Sequence, residues 1–409
     1  MNTAERVLSR RAATAPASPI RRLKPFADAA KARGVHVHHL NIGQPDLATS
    51  STMREAYRSF DERVVAYSPS QGTSSFRTAL AGYYQGLRAE RGGPAITEDD
   101  VLVTVGGSEA LLFTIAAVCD PGDAIIVAEP YYTNYAGFSH LLSVDVVPVT
   151  TYASEDFLVD PDRLRAAVTD RTRAFVFPNP GNPTGAVHSR SQLEALAAVC
   201  VENDLVMVSD EVYREFVYRD DESMRPATSV LEIPGLLDHV VVIDSVSKRY
   251  SACGARVGCL VTRNKPLYAA TLKFAQARLS PPTVDQFAAE AAIRTPPAEM
   301  SDAIAEYRRR RDVVVQGLNA IDGVSCPNPR GAFYLVADLP VDDANAFCIW
   351  LLSDFELDGE TVMLAPAEGF YATEGAGRNQ VRFAYVLGVD KLQRCLQILE
   401  AALQTWASR

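Results

Sequence analysis

One lysine of this chain stands in chemically suggestive company. The stretch Ser245-Val246-Ser247-Lys248-Arg249-Tyr250-Ser251-Ala252-Cys253-Gly254-Ala255-Arg256 follows an apolar run at residues 240–243. A lysine amine forms a Schiff base with an aldehyde. The hydroxyls of Ser245 and Ser247 and the guanidinium of Arg256 suit a phosphate. Pyridoxal 5′-phosphate carries both groups on one ring and acts as an electron sink, so Lys248 is the candidate for its attachment. A strand-end lysine is otherwise a solvated charge, and the neighbours of this one decide against that reading.

Such a cofactor needs its pyridine nitrogen kept protonated, which a buried carboxylate beside it achieves. Asp210 closes the apolar run 206–209 and opens Asp210-Glu211-Val212-Tyr213. It is the candidate for that role, and Tyr213 for a hydrogen bond to the ring's phenolic oxygen. The bland alternative for Asp210 is a turn cap. Gly106-Gly107-Ser108-Glu109 reads as a glycine turn entering a helix, where free amides attract phosphate; Gly107, Ser108 and Glu109 are the candidates there. Tyr132 is the candidate aromatic to stack on the ring, or else a core residue. Arg382 lies in the apolar run Val381-Arg382-Phe383-Ala384-Tyr385. An arginine placed so needs a partner: a substrate α-carboxylate, held bidentately, or an internal acid. Asn41-Ile42-Gly43 offers a close backbone approach at Gly43.

These groups need a scaffold that brings strand ends together. Strand-like runs at 101–105, 124–127, 144–149, 174–177, 205–208, 240–243 and 257–261 alternate with helical segments at 109–118, 161–168 and 191–203. Apolar strands alternating with helices predict an α/β fold with a mostly parallel sheet covered on both faces. Ligands bind such sheets at the carboxyl ends of the strands. Residues 283–318 read as long helix, broken near Pro296-Pro297, with the basic run Tyr307-Arg308-Arg309-Arg310-Arg311 on an exposed face. Strands at 331–339, 362–366 and 381–386 and helices at 345–355 and 390–406 predict a second, smaller α+β domain. The expected division is residues 1–50 joining the small domain, 51–290 the large domain, and 291–409 the interdomain helix and small domain.

The lysine block resembles the signature of the class I and II aminotransferases. Asn179-Pro180-Gly181-Asn182-Pro183-Thr184-Gly185, by itself a turn, resembles that family's asparagine loop. The order Gly43, Tyr67, Gly107, Tyr132, Asn182, Asp210, Lys248, Arg256, Arg382 is the family's order, over about Ser18 to Trp406. The resemblance implies the pyridoxal-phosphate-dependent transferase fold of type I and a homodimer with shared active sites. It implies that Asn182 donates to the ring oxygen and shapes the substrate site, and that Tyr67 reaches the phosphate of the neighbouring subunit. The finer likeness is to bacterial aspartate aminotransferase-like proteins, through Ser245 to Gly254 and Gln276 to Pro282. It implies exchange of an amino group between aspartate and 2-oxoglutarate. One branch of the family reads a distal carboxylate with a lysine where this chain has Ser108. Another branch uses an arginine from the partner subunit, ahead of a Pro-Pro; Arg278 is the nearest candidate for it, and a structural role for it stands equally open.

Composition narrows the field. A net charge of −10 argues against a nucleic-acid surface. The seven cysteines are scattered, with no CxxC pair, which fits a reducing, cytoplasmic setting without structural zinc or disulfides. His36, His38 and His39 lack an accompanying ligand cluster and read as local structural residues, so no metal is expected. No apolar run has transmembrane length, and no apolar stretch follows the N-terminal arginines as a secretory signal requires. The rival readings are another reaction on the same scaffold, γ-elimination, replacement or oxidation, and a pyridoxal-phosphate-binding regulator. The about 17 residues ahead of Ser18 are too few for a helix-turn-helix module.

Overall fold

The computed structural model describes residues 7–88, 95–219 and 225–409. Its twelve strands among these residues are β1 His36–His39, β2 Val101–Thr104, β3 Ala124–Glu129, β4 Asp145–Thr150, β5 Thr172–Pro178, β6 Val206–Asp210, β7 Val240–Ser245, β8 Gly258–Val261, β9 Tyr334–Asp338, β10 Glu360–Met363, β11 Ala365–Pro366 and β12 Gln380–Ala384. Seven of them form one sheet in the order β2-β8-β7-β6-β5-β3-β4. The strands from β4 to β7 run parallel; β8 alone is antiparallel to its neighbours. The reading of an α/β fold with a mostly parallel sheet holds, and β8 is its one reversed strand, returning beside β7 after residues 246–257.

The alternation of side chains along each strand builds two cores. On one face Val101, Val103, Phe175, Phe177, Met207, Val240 and Val242 pack under the helices Ser74–Arg88, Arg190–Glu202 and Thr283–Ala292. On the other, Leu102, Ile125, Val127, Val176, Val208 and Val241 meet Gly106–Val118, Asn134–Leu142 and Lys265–Arg278. Burial on both sides is why these strands read as unbroken apolar runs.

A third core joins both ends of the chain. Leu23, Ala27 and Ala30 of the N-terminal region pack with β9, β12 and the helices Pro297–Ala320, Ala344–Ser353 and Val389–Ala407. β1 pairs in parallel with β10, and β9, β12 and β11 form an antiparallel sheet. The expected single strand at 362–366 is thus two strands with different partners.

The basic run also differs from expectation. Tyr307, Arg310 and Arg311 are buried, and Arg309 is exposed. Positions 307, 310, 311, 314 and 318 recur at the helical period and face inward. Arg310 is held by Asp46 at 2.6 Å, Glu306 at 2.8 Å and the carbonyl of Val386 at 2.6 Å. Burial of an arginine is tolerated here because its donors are answered.

Candidate active site

The ends of β6 and β7 lie side by side, with Asp210 opposite Ile243. Chain reversals there project polar side chains into one cavity of about 540 Å³, bounded across by Gly43, Tyr334 and Arg382. Ser245 ends β7 and caps the short helix Val246–Arg249, its hydroxyl accepting from the Ser247 amide at 3.2 Å. That helix carries Lys248, whose Nζ donates to the carbonyl of Gly43 at 2.8 Å and lies 3.6 Å from Cys253 Sγ. A side chain at position 43 would collide with the Tyr334 hydroxyl, so the close approach needs glycine.

Asp210 is buried and faces the same cavity. Burial pushes its carboxyl up to about 6, while a 3.0 Å hydrogen bond from the Tyr135 hydroxyl pulls it back. The Tyr213 hydroxyl lies 2.8 Å from that of Tyr334, and burial raises its pKa well above the ordinary phenol value. Tyr132 lines the cavity and meets Tyr135 edge-on, with ring centres 5.7 Å apart.

At the other end of the cavity, the helix Gly106–Val118 begins three residues earlier than its sequence suggests. Gly106, Gly107 and Ser108 therefore are its first turn, and their amides have no partner within the helix. Gly106 adopts φ 70°, and a Cβ there would strike the Arg256 guanidinium. Ser245, Ser247 and Arg256 line this end, with the Ser245 hydroxyl 2.8 Å from that of Ser247. A phosphate finds free amides, hydroxyls and a guanidinium here; an aldehyde-bearing ring finds Lys248; a protonated ring nitrogen finds the Asp210 carboxyl. The donor set fits pyridoxal 5′-phosphate.

Arg382, 2% exposed, approaches from β12. It donates to Asn182 Oδ1 at 3.0 Å and to the carbonyl of Asn41 at 2.5 Å, and its guanidinium lies 4.5 Å from the centre of the Tyr334 ring. Its Nε has no partner, and among the described residues no carboxylate pairs with it. Burial lowers its pKa. The internal acid that sequence reading left open is absent from its surroundings. With its oxygen so engaged, Asn182 has its NH₂ left to donate.

Three expected residues lie outside this chain's cavity, two of which, Tyr67 and Arg278, the resemblance assigns to the neighbouring subunit's site. Glu109 turns away from the cavity: it accepts from the Val105 amide at 2.9 Å and lies 3.4 Å from Arg278. As the fourth residue of its helix it offers no free amide either. Arg278 also donates to the carbonyls of Ser70 and Val103, both at 3.2 Å, and does not line its own chain's cavity. Tyr67 is 81% exposed and outside that cavity. Sequence reading missed Tyr135, Tyr334, Cys253 and Arg21. Tyr135 carried a faint signal, one helical turn after Tyr132; Tyr334 and Arg21 come from distant segments and carried none.

Behind the cavity lies a second polar cluster that motif reading also missed. Arg214 and Arg249 share the Asp244 carboxylate at 3.2 and 2.5 Å. Glu211 pairs with Arg214 at 2.7 Å, Glu215 with Arg249 at 2.8 Å, and Tyr84 donates to Asp244 at 2.7 Å. Burial opposes ionisation of Asp244, yet the two guanidinium groups hold its carboxyl below the usual range. The cluster sits one residue from Asp210, Ser245 and Lys248, and so pins the turns that carry them.

Comparison with known proteins agrees with this geometry. The model of the aminotransferase class I and II family matches residues 35–391. An aspartate/prephenate aminotransferase of Thermus thermophilus is 32% identical over 374 residues, covering 89% of this chain and 90% of that one. An aspartate aminotransferase of Streptomyces avermitilis is 34% identical over 383 residues, covering 90% and 89%. The solved structure of the Thermus thermophilus aspartate aminotransferase with maleate superimposes with a TM-score of 0.85 at 31% identity, over 97% of this chain and 99% of that one. An alanine aminotransferase of Pyrococcus furiosus gives 0.86 at 29% identity, over 97% and 100%.

Proposed function

Because the chain belongs to the class I and II aminotransferases, which use pyridoxal 5′-phosphate, we propose that it moves the amino group of aspartate to 2-oxoglutarate by alternating half-reactions. The observation that carries the substrate end is Arg382: a buried guanidinium with an unpaired Nε and no carboxylate, opening on the cavity. Desolvated cations are retained where an anion completes them. Aspartate is favoured over alanine by the names of three of the four relatives just described.

The bound cofactor supplies an aldehyde for amine exchange and a conjugated ring that accepts the electrons released at the substrate Cα. The chain's residues do the rest. Lys248 would hold the cofactor's aldehyde through Nζ before substrate arrives, and its freed amine would then take the proton from the substrate Cα as a general base and give it back as a general acid. The Asp210 carboxylate keeps the ring nitrogen protonated, with Tyr135 fixing its orientation. Tyr213 and the Asn182 NH₂ would donate to the ring oxygen, and Tyr132 would cover the ring face. The Gly107 and Ser108 amides, the Ser245 and Ser247 hydroxyls and Arg256 would hold the phosphate. Arg382 binds the α-carboxylate and orients Cα–H, with the Gly43 backbone closing that side.

The assembly we propose is a homodimer. Val64, Val65, Tyr67, Leu279 and Phe287 are exposed apolar residues, and they come from two segments tied together: Ser70 donates to the carbonyl of Leu279, Thr283 to that of Ala66, and Phe60 meets Phe287. A second copy would cover this surface and bring Tyr67 toward the neighbouring cavity. We take residues 51–290 as the large domain and 1–50 with 291–409 as the small one. The setting we propose is the cytoplasm, consistent with seven free cysteines. No helix among the described residues is long and apolar enough to cross a membrane.

Holoenzyme given aspartate and 2-oxoglutarate should release oxaloacetate and glutamate in equal amounts. Ammonia release or oxygen uptake without glutamate would instead indicate elimination or oxidation. Borohydride should attach the cofactor to the peptide holding Lys248, and Lys248→Ala should abolish both labelling and turnover. Label on another lysine refutes the assignment.

A further inference from the structure

Among the described residues four cations line the cavity, Lys248, Arg256, Arg382 and Arg21, against the single carboxylate of Asp210. The reaction just proposed uses three of them. Arg21 is the fourth: exposed, at the cavity wall, with no side-chain hydrogen bond or ion pair to a described residue. Its charge reaches inside: burial raises the Tyr132 phenol, and Arg382 and, to a smaller extent, Arg21 draw it back.

Arg21 is not a loose surface charge, because its segment is registered on Arg382. The Arg21 amide donates to the carbonyl of Ser18 at 3.1 Å, forming a turn. The Asn41 side chain donates to the carbonyl of Ile20 at 3.2 Å, and the Asn41 carbonyl accepts from Arg382. Ile20 packs on Ala365, Ala367 and Phe370, and the Phe370 ring lies 5.0 Å from the Arg382 guanidinium. One residue, Asn41, thus spaces the two arginines. Arg278, which the family likeness suggested for a distal carboxylate in the neighbouring subunit, is engaged in its own chain by Glu109 and two carbonyls.

We propose that Arg21 is the specificity-determining residue that receives the side-chain carboxylate of a dicarboxylic substrate whose α-carboxylate sits on Arg382. The inference rests on the aspartate reading above. Arg21 stays hydrated in the free enzyme and forms a charge-assisted contact when substrate brings the second anion. A neutral substrate leaves it in water at little cost.

The test compares wild type, Arg21→Gln, Arg21→Lys and Arg278→Gln as full-length holoenzymes, with aspartate, glutamate, alanine and phenylalanine. In Arg21→Gln the ratio of kcat/KM for aspartate over alanine should fall about ten- to a hundredfold, the size of a lost charge-assisted contact. Arg21→Lys should recover part of it. Succinate binding, read from cofactor absorbance, should weaken by a similar factor, and butyrate binding should not follow. An unselective loss, no loss, or a selective loss confined to Arg278→Gln overturns the role of Arg21 while leaving aspartate as substrate. A wild type that prefers neutral amino acids overturns the aspartate reading itself, and this proposal with it.

Discussion

Two sets of buried charges flank the ends of β6 and β7, and the protein treats them in opposite ways. Behind the turns, Glu211, Glu215 and Asp244 answer Arg214 and Arg249, and Tyr84 adds a donor. In front, among the described residues, Asp210 has a tyrosine hydroxyl and the Val212 amide but no cation, and Arg382 has two carbonyl-type acceptors but no anion. The first set is complete without a ligand and serves as framework. The second is a desolvated acid and a desolvated base kept apart, each lacking its counter-charge. The difference separates structural from functional burial: both sets are polar and inaccessible, and only the unpaired one has a reason to bind something.

The comparison breaks if the rear cluster proves dispensable. Asp244→Asn leaves two buried guanidinium groups short of a carboxylate, which should cost about 3–5 kcal/mol of stability. Urea titration should show a lower midpoint with an unchanged slope. A loss below about 1 kcal/mol would mean that the cluster is solvated and the contrast false.

The front set should respond with the opposite sign. In cofactor-free protein Asp210 has a pKa of about 6, above its ordinary value of 3.8. Below about pH 4 it is protonated in folded and unfolded chains alike and contributes nothing. As pH rises from 4 to 6 the unfolded chain releases the proton that the folded chain retains, so folding is penalised, fully so above pH 6. Asp210→Asn should therefore stabilise the cofactor-free protein by about 2–3 kcal/mol at pH 8, and progressively less toward pH 5. The same variant should lower kcat by about a hundred- to a thousandfold, the scale of a lost preorganised charge. A stability difference independent of pH would show that Asp210 is not desolvated.

Arg382→Met sharpens the contrast with the smallest stability effect. It removes an uncompensated buried charge along with two hydrogen bonds, so cofactor-free stability should change by less than about 1 kcal/mol in either direction. Yet kcat/KM should fall at least about tenfold for every amino acid, whatever its side chain. A loss restricted to dicarboxylic substrates would move the α-carboxylate to another residue.

Much of this architecture was legible in the chain because it is encoded locally. Apolar runs mark strands buried on two faces, and the polar residues just past each run fall at carboxyl ends. Lys248, Asp210, Asn182, Gly107 and Ser108 were picked out by such position, and the fold brings them to one cavity. The misreadings involve partners. The basic run at 308–311 looked solvated until Asp46, Glu306 and the carbonyl of Val386 appeared around Arg310. Glu109 had a plausible duty at the phosphate end, and its side chain instead meets Arg278, for which a structural role had stood open.

The sequence alone thus determined the strand and helix alternation, the lysine turn and the family's order of motifs, since propensity and periodicity depend on residues a few positions apart. Only the tertiary structure decided which charges are paired. Lys248 meets Gly43 across 205 positions and Arg382 meets Asn41 across 341. Whether a charge is desolvated, and whether anything neutralises it, depends on what packs around it from distant segments, which no local pattern records.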